Sequence, residues 1–384
     1  MTSKKLVRTA VICVVLVCVS AIALLVWHQR TPEPGSIRIG ALLELTGPIA
    51  PYAQSAKRGL ELAASQINEN GGIAGRSLDI IFEDCQSEPR VATLAANKVI
   101  FQDKVHAVVG FIGSSLLLAA APLFNENHIV LISPGASSPQ IREAGDFIFR
   151  TRASGRLEAE TLAEYAIKDL NLRETAVLYV NNDYGLSWLK AFGERTSSLG
   201  GKVVAQEAFD QGANDMRTQL TKIKASGAKC LLILGYLDEI AVGLRQSVEL
   251  GLNMQILTTV GVQNERIFEL AGESVQGVIY SAADYDPVAN PASQRFDRAY
   301  KARFGVSSDE YAANAYDALN LLAKAIGAVG ADGQKIMSFL LKVKEYPGAG
   351  GTLSFDEKGD VVKPVLVKKV QGTDFLTIPH QSER

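Results

Sequence analysis

Short runs of β-branched and aliphatic residues alternate with longer amphipathic segments along most of this chain. Residues 37–43, 78–82, 107–109, 129–132 and 147–151 are brief, almost wholly apolar, and bounded by polar, Gly or Ser-Pro positions. Runs of that kind read as strands buried on both faces. Between the first two, 57–69 carries Leu60, Ala63, Ala64 and Ile67 on one helical face and stops at Asn70-Gly71-Gly72. Tyr52 falls in the loop before it. A second helix is predicted over 90–101. The Ala- and Leu-rich stretch after Ser115 is long enough for a crossover helix, with Pro122 marking a kink or a late start. From Arg156 the alternation begins again: a helix to 170, then strands over 175–180, 202–209, 229–234, 255–258 and 277–281, with helices over 186–199, 215–226 and 238–250 between the first four. Repeated strand–helix pairs with short links predict two parallel α/β sheets with helices on both faces. The end of the chain departs from this pattern. Helices over 291–304, 309–329 and 332–343 lead to a predicted hairpin, 351–355 and 361–370, around the turn 356–360. The polar tail from Thr373 is expected to fray. Helices and a hairpin following two α/β lobes imply that the chain crosses between the lobes more than once.

Two of the predicted strands end in clusters of small residues: Gly113-Ser114-Ser115 after the third and Gly135-Ala136-Ser137-Ser138 after the fourth. In an open α/β sheet, ligands bind outside the carboxyl ends of the strands, where such loops lie. Small residues there expose backbone N–H groups, hydroxyls add donors, and a helix N-terminus adds positive partial charge. Either cluster taken alone reads equally as a capped strand-to-helix turn. Two of them flanking one crossover point to a carboxylate clamp at Ser114, Gly135 and Ser137.

Length and charge add a leader and exclude some partners. The 384 residues suit two lobes of about 150 each plus a leader. Lys4, Lys5 and Arg8 precede an uncharged span from Ala10 to Trp27, so the chain is directed to a membrane with its N-terminus inside. The span is about one bilayer long, as for an uncleaved anchor. Ala21-Ile22-Ala23 offers a cleavage site and Cys18 a lipidation site. On each of these readings the body lies outside the cytoplasmic membrane. Without the first 35 residues, 35 basic and 40 acidic side chains remain, a balance of −5 that argues against nucleic-acid binding. Cys85 and Cys230 are the cysteines outside the leader, and His28, His106, His128 and His380 form no ligand pair at helical spacing. Neither a metal site nor a disulfide framework is expected. The sequence also lacks the glycine-rich dinucleotide and nucleotide-phosphate loops and the Gly-x-Ser-x-Gly elbow, so no cofactor and no enzyme chemistry are indicated.

Six blocks in order carry a resemblance: GLELAASQINENGGIAGRSLDIIFED, GFIGSS, ISPGASSP, NNDYG, AGESVQG and FDEKGD. Together they resemble the leucine/isoleucine/valine-binding proteins, the type I extracytoplasmic solute-binding receptors of ABC importers, from about Ile37 to about Val370. The resemblance implies two Rossmann-like lobes joined by three crossovers, with the ligand in the cleft between them. It implies lobe one over 36–155 and 284–347, lobe two over 156–283 and 348–378, a leader over 1–35 and a tail over 379–384. Ser114, Gly135 and Ser137 match the family's grip on the ligand carboxylate. Tyr52, Tyr184 and Tyr236 match aromatic positions lining the cleft. Amino-acid binders of the family place an acid against the ligand ammonium, and Val260 stands at that position here. An ammonium desolvated without a counter-charge is costly. Another acid must then supply the charge, with Asp238 and Glu239 as first candidates and Asp183 and Glu44 as others, or the ligand has no ammonium. The family's small disulfide looks missing, since Cys85 lies near one partner position and Gly113 occupies the other. The implied partners are an ABC permease and its ATPase. The implied function is capture of a small amphipathic carboxylate, by default a branched-chain or other neutral amino acid. The alternatives are an amide or an aromatic or aliphatic acid as ligand, or a sensing ectodomain.

Overall fold

A computed structural model describes residues 35–283, 285–288 and 290–380. Of residues 1–36, Gly35 and Ser36 are described. The apolar span 10–27 therefore lies outside the described residues, and among these no helix is long and apolar enough to cross a membrane.

From Ile37 the chain lays down β1 (Ile37–Leu43), α1 (Ala50–Glu69), β2 (Leu78–Asp84), α2 (Pro89–Asn97), β3 (Ala107–Gly110), α3 (Ser114–Glu126), β4 (Leu131–Ser133) and β5 (Ile148–Arg150). These strands form one parallel sheet in the order β2-β1-β3-β4-β5. The chain then leaves this sheet and builds a second: α4 (Gly155–Glu164), β6 (Glu174–Val180), α5 (Asp183–Ser198), β7 (Lys202–Phe209), α6 (Arg217–Ala225), β8 (Cys230–Leu234), α7 (Leu237–Glu249), β9 (Gln255–Thr259), α8 (Arg266–Ala271) and β10 (Ile279–Ala283). It returns to the first sheet with α9 (Pro291–Phe304), α10 (Glu310–Val329) and α11 (Gly333–Leu340), and then forms β11 (Tyr346–Gly348), β12 (Gly351–Phe355) and β13 (Val361–Val362) as a small antiparallel sheet. Finally β14 (Val365–Gln371) and β15 (Asp374–Ile378) complete the second sheet, whose order is β15-β14-β10-β9-β8-β6-β7. The molecule is thus two Rossmann-like lobes joined by three crossings. The central strands β1, β3, β4 and β8 are buried at almost every position, which is why their sequences read as unbroken apolar runs.

Four local expectations are corrected. Helix α1 begins at Ala50 rather than 57, with Pro51 in its first turn, so Tyr52 projects from a helix and not from a loop. Proline suits that position because its missing N–H has no intrahelical partner there. The expected hairpin over 351–370 is divided. Only Val361 and Val362 pair with β12, and after Pro364 the chain joins β10 instead. Proline has no N–H to extend the ladder. The tail expected to fray forms β15 over 374–378, an edge strand paired antiparallel with β14. Residues 348–362, expected with the second lobe, touch elements of the first. Asp317 on α10 accepts the Ala349 and Gly350 N–H groups at 2.7 and 2.8 Å, and Arg150 at the end of β5 pairs with Asp360.

Close approach of α1 and α10 depends on one glycine. A Cβ at Gly59 would lie 2.2 Å from the Ala312 carbonyl oxygen. Gly59→Ala must push the two helices apart, with an expected loss of about 1–3 kcal/mol of stability. Because α1 carries Tyr52 and α10 carries Tyr311, rings whose centroids lie 4.8 Å apart, ligand affinity should fall with it. Denaturant unfolding and a binding isotherm on the same variant check both effects.

Candidate functional site

The two sheets present the carboxyl ends of their strands to one shared, narrow cavity of about 20 Å³, lined from the first by Tyr52, Ser114, Gly135 and Ser137 and from the second by Tyr184, Gly235, Tyr236 and Gly261. In each sheet part of this lining sits where the strand order reverses: Tyr52 and Ser114 follow β1 and β3, and Tyr184 and Tyr236 follow β6 and β8. Crevices form at such points because neighbouring loops leave in opposite directions.

Ser114 opens α3, whose first turn has no side-chain cap because Gly113 stands at the N-cap. That leaves the positive end of the helix facing the cavity. The Ser137 loop is bound to it directly: the Ser138 N–H donates to Ser114 Oγ at 3.1 Å. Ser133 Oγ shapes the same loop, donating to the Phe111 carbonyl at 2.7 Å and accepting the Ala136 N–H at 3.0 Å. Phe111 is itself in the left-handed region, at φ +64°, a conformation that costs about 1–3 kcal/mol outside glycine. It turns the chain so that the Ile112 and Gly113 N–H groups reach the buried Glu44 carboxylate at 3.0 and 2.9 Å. Glu44, one of the candidate counter-charges, therefore supports the loop from beneath.

Burial pushes the Glu44 carboxyl up to about 7, against the pull of those two N–H groups. The folded protein then holds this proton more tightly than the unfolded chain, so the contribution of Glu44 is most favourable at acid pH and declines as pH rises from about 4.5 through 7. Glu44→Gln keeps an acceptor and removes the titration. The stability of the native protein relative to this variant should fall by on the order of 3 kcal/mol across that interval, measured by denaturant unfolding at a series of pH values.

The aromatic walls come from both lobes. Tyr184 stacks on Tyr236 with centroids 5.6 Å apart, and its hydroxyl donates to Thr259 Oγ1 at 2.9 Å. Tyr236 accepts from Asn182 Nδ2 at 3.3 Å. Tyr52 reaches across from α1 and donates to the Gly261 carbonyl at 2.8 Å, a hydrogen bond that joins the two lobes at the cavity.

The remaining candidates lie elsewhere. Asp238 is exposed, 4.0 Å from Arg266. Glu239 is buried but occupied, accepting the Tyr236 and Gly212 N–H groups at 2.7 and 2.6 Å. A glutamate at the third position of a helix turns back to the N-cap backbone, which draws this side chain away from the cavity. Asp183 begins α5 and Val260 is buried beside Gly261; neither lines the cavity. Among the described residues, no Asp or Glu does so. Ile112, Gly235 and Gly261 beside the predicted residues also line the cavity, as do Arg152 just after β5 and Tyr311 in the first turn of α10, neither of which the sequence reading singled out. Arg152 is buried between Glu158 on α4 and Glu310 on α10, and burial raises the Glu158 carboxyl while Arg152 pulls it down. Cys85 and Cys230 are buried free thiols, and no group of three or more His, Cys, Asp or Glu among the described residues is arranged to hold a metal ion.

The sequence profile of one family, described as periplasmic binding protein, matches residues 36–374. The chain belongs to that family. Its relatives include the Leu/Ile/Val-binding protein homolog 3 of Brucella melitensis, 29% identical over 85% of this chain and 89% of that protein. The leucine-, isoleucine-, valine-, threonine- and alanine-binding protein of Pseudomonas aeruginosa is 28% identical over 89% of this chain and 91% of its own length. Among solved structures, the leucine-binding protein LivK of Thermotoga maritima superposes with a TM-score of 0.85 at 28% identity, covering 89% of this chain and 98% of that one. LivJ of Streptococcus pneumoniae in complex with isoleucine gives 0.82 at 26% identity, covering 88% and 97%. Periplasmic binding proteins of this kind are solute receptors that work outside the cytoplasm, and the two-lobed fold described above is theirs.

Proposed function

We propose that this binding protein captures a small amphipathic carboxylate in the cavity between its lobes and delivers it to an ABC permease and its ATPase, with a branched-chain or other neutral amino acid as the default ligand. One observation carries this reading: a cavity that joins a serine–glycine clamp from one sheet to stacked tyrosines from the other. Relatives named for leucine, isoleucine and valine support the ligand class. Ser114, Gly135 and Ser137 would hold the carboxylate, and Tyr52, Tyr184 and Tyr236 would cover the apolar remainder while keeping a hydroxyl in reach of a partner.

Ligand contacts to both lobes lower the free energy of the closed form relative to the open one, and that difference drives closure. The lobes we propose are 36–155 with 284–362, and 156–283 with 363–378. The third crossing moves to Pro364 because 349–360 is hydrogen-bonded to Asp317 and Arg150 of the first lobe. The basic, apolar leader is proposed to direct the body to the outer face of the membrane, as an anchor or as a cleaved segment.

A second reading is favoured by the charges of the cavity. With Val260 beside Gly261 and no carboxylate among the described lining residues, an acid or amide without an ammonium fits at lower desolvation cost. A thermal-shift and calorimetric comparison of leucine, isoleucine and valine with 4-methylpentanoate, on the full-length protein, tests both. Saturating ligand should raise the melting temperature, since a ligand at a thousand times its Kd stabilises by about 4 kcal/mol. Preference for leucine supports the amino-acid reading and preference for 4-methylpentanoate the second. No shift with any of them, or with benzoate and simple amides, overturns the receptor reading.

A further inference from the structure

Arg152 belongs neither to the carboxylate clamp nor to the tyrosine walls, yet it lines the cavity with a side chain only 3% exposed. Its terminal nitrogens are engaged. Nη2 donates to both oxygens of Glu158 at 2.8 and 2.9 Å, and Nη1 donates to Glu310 Oε1. The guanidinium carbon lies 5.4 Å from the centre of the Tyr311 ring, which also lines the cavity. The remaining nitrogen, Nε, is buried and has no partner among the described residues. Buried N–H donors are nearly always paired, so an orphan beside a ligand cavity marks a place where a ligand atom belongs.

The two glutamates limit what that atom can be. Glu158 comes from α4 and Glu310 from the first turn of α10, so the guanidinium is gripped from both sides and its planar fork cannot turn to meet a new partner with its terminal nitrogens. One cation already faces two carboxylates. A second ligand carboxylate at Nε would place three around it in a buried site, where like charges disfavour one another. The acceptor that fits is therefore neutral. Glu310 Oε2 also has no partner among the described residues, but Arg152 lines the cavity and Glu310 does not.

We propose that Arg152 is a specificity-determining residue that reads a neutral hydrogen-bond acceptor on the ligand, additional to the carboxylate held at Ser114 and Ser137. The ligand class is then a small carboxylate bearing a hydroxyl, keto or carboxamide oxygen on a compact apolar frame. This rests on the carboxylate-receptor reading above.

The test compares ligands that differ in that oxygen alone. Calorimetry on the full-length protein should pair valine with threonine, and 3-methylbutanoate with 3-methyl-2-oxobutanoate. In at least one pair the oxygen-bearing member should bind about tenfold or more tightly, as expected of a site built to hydrogen-bond a substrate group. Arg152→Lys keeps a cation between the glutamates and removes the Nε–H. In that variant, shown to be folded by its melting curve, the preference should fall below about threefold. Equal affinities within both pairs in the native protein overturn the proposal, as does an unchanged preference in Arg152→Lys. Binding without discrimination defeats this inference alone, whereas no binding by any of the four defeats the carboxylate-receptor reading beneath it. The native-protein comparison decides the matter even if the variant does not fold.

Discussion

Replacing Ser114 and Ser137 together by alanine is expected to weaken ligand binding tens-fold or more while leaving the fold intact. Both serines are buried and line the cavity beside the uncapped first turn of α3. A hydrogen bond to a charged group is worth about 1.5–3 kcal/mol, and two are removed. The first substitution also leaves the Ser138 N–H without Ser114 Oγ, so the two loops lose the bond that holds them at a common distance from the ligand. The serines act as a unit, and the double variant should show less than the sum of the single effects. Ser115→Ala, one position further along α3 and outside the cavity lining, serves as the control and should bind as the native protein does. Calorimetry on these variants is the check, and native affinity in the double variant would remove the carboxylate clamp.

The largest effect on stability is expected from Asp360→Ala. Arg150 is almost fully buried at the end of β5. It is held by the Asp360 carboxylate through Nε and, at 2.7 Å, through Nη2. Its Nη1 donates to the Ser138 carbonyl at 3.0 Å. Removing the aspartate strands a guanidinium in the interior, which costs about 3–5 kcal/mol. The loop that carries Ser137 loses its anchor at the same time, so ligand affinity should fall as well. Arg142, also paired with this turn through Asp356 at 2.9 Å, has a side chain 37% exposed, and Arg142→Ala should cost at most about 1 kcal/mol. Denaturant unfolding without ligand separates the two cases. A loss below about 1 kcal/mol for Asp360→Ala would mean that water reaches Arg150 and replaces its partner.

Much of this architecture is legible in the chain because the signals are local. A buried parallel strand must be apolar on both faces, so β1, β3 and β8 announce themselves as short aliphatic runs. A strand that ends at a cavity leaves room only for small residues, so Ser114, Gly135 and Ser137 stand out in the same way. The misreadings occur where a partner distant in sequence decides. The second arm of the expected hairpin follows β10 and not β12, because pairing past Pro364 depends on which edge lies open. The run 374–378 forms a strand because β14 offers it a ladder and Phe375 packs against Phe268 and Tyr280, partners more than ninety residues away. Asp238 and Glu239 follow Tyr236 directly, yet the turn of α7 sends one to solvent and the other to the backbone.

By itself the sequence determined the fold class, the repeated strand–helix order, the crossing of the chain between lobes and the loops that line the shared cavity. These follow from hydrophobic period and turn chemistry within a few residues. The tertiary structure alone decided that Arg152 and Tyr311 enter the cavity and that the candidate acids do not. An arginine in a loop is ordinarily solvated. This one is buried because carboxylates 6 and 158 residues away converge on it, and such convergence is a property of packed lobes that no stretch of sequence contains.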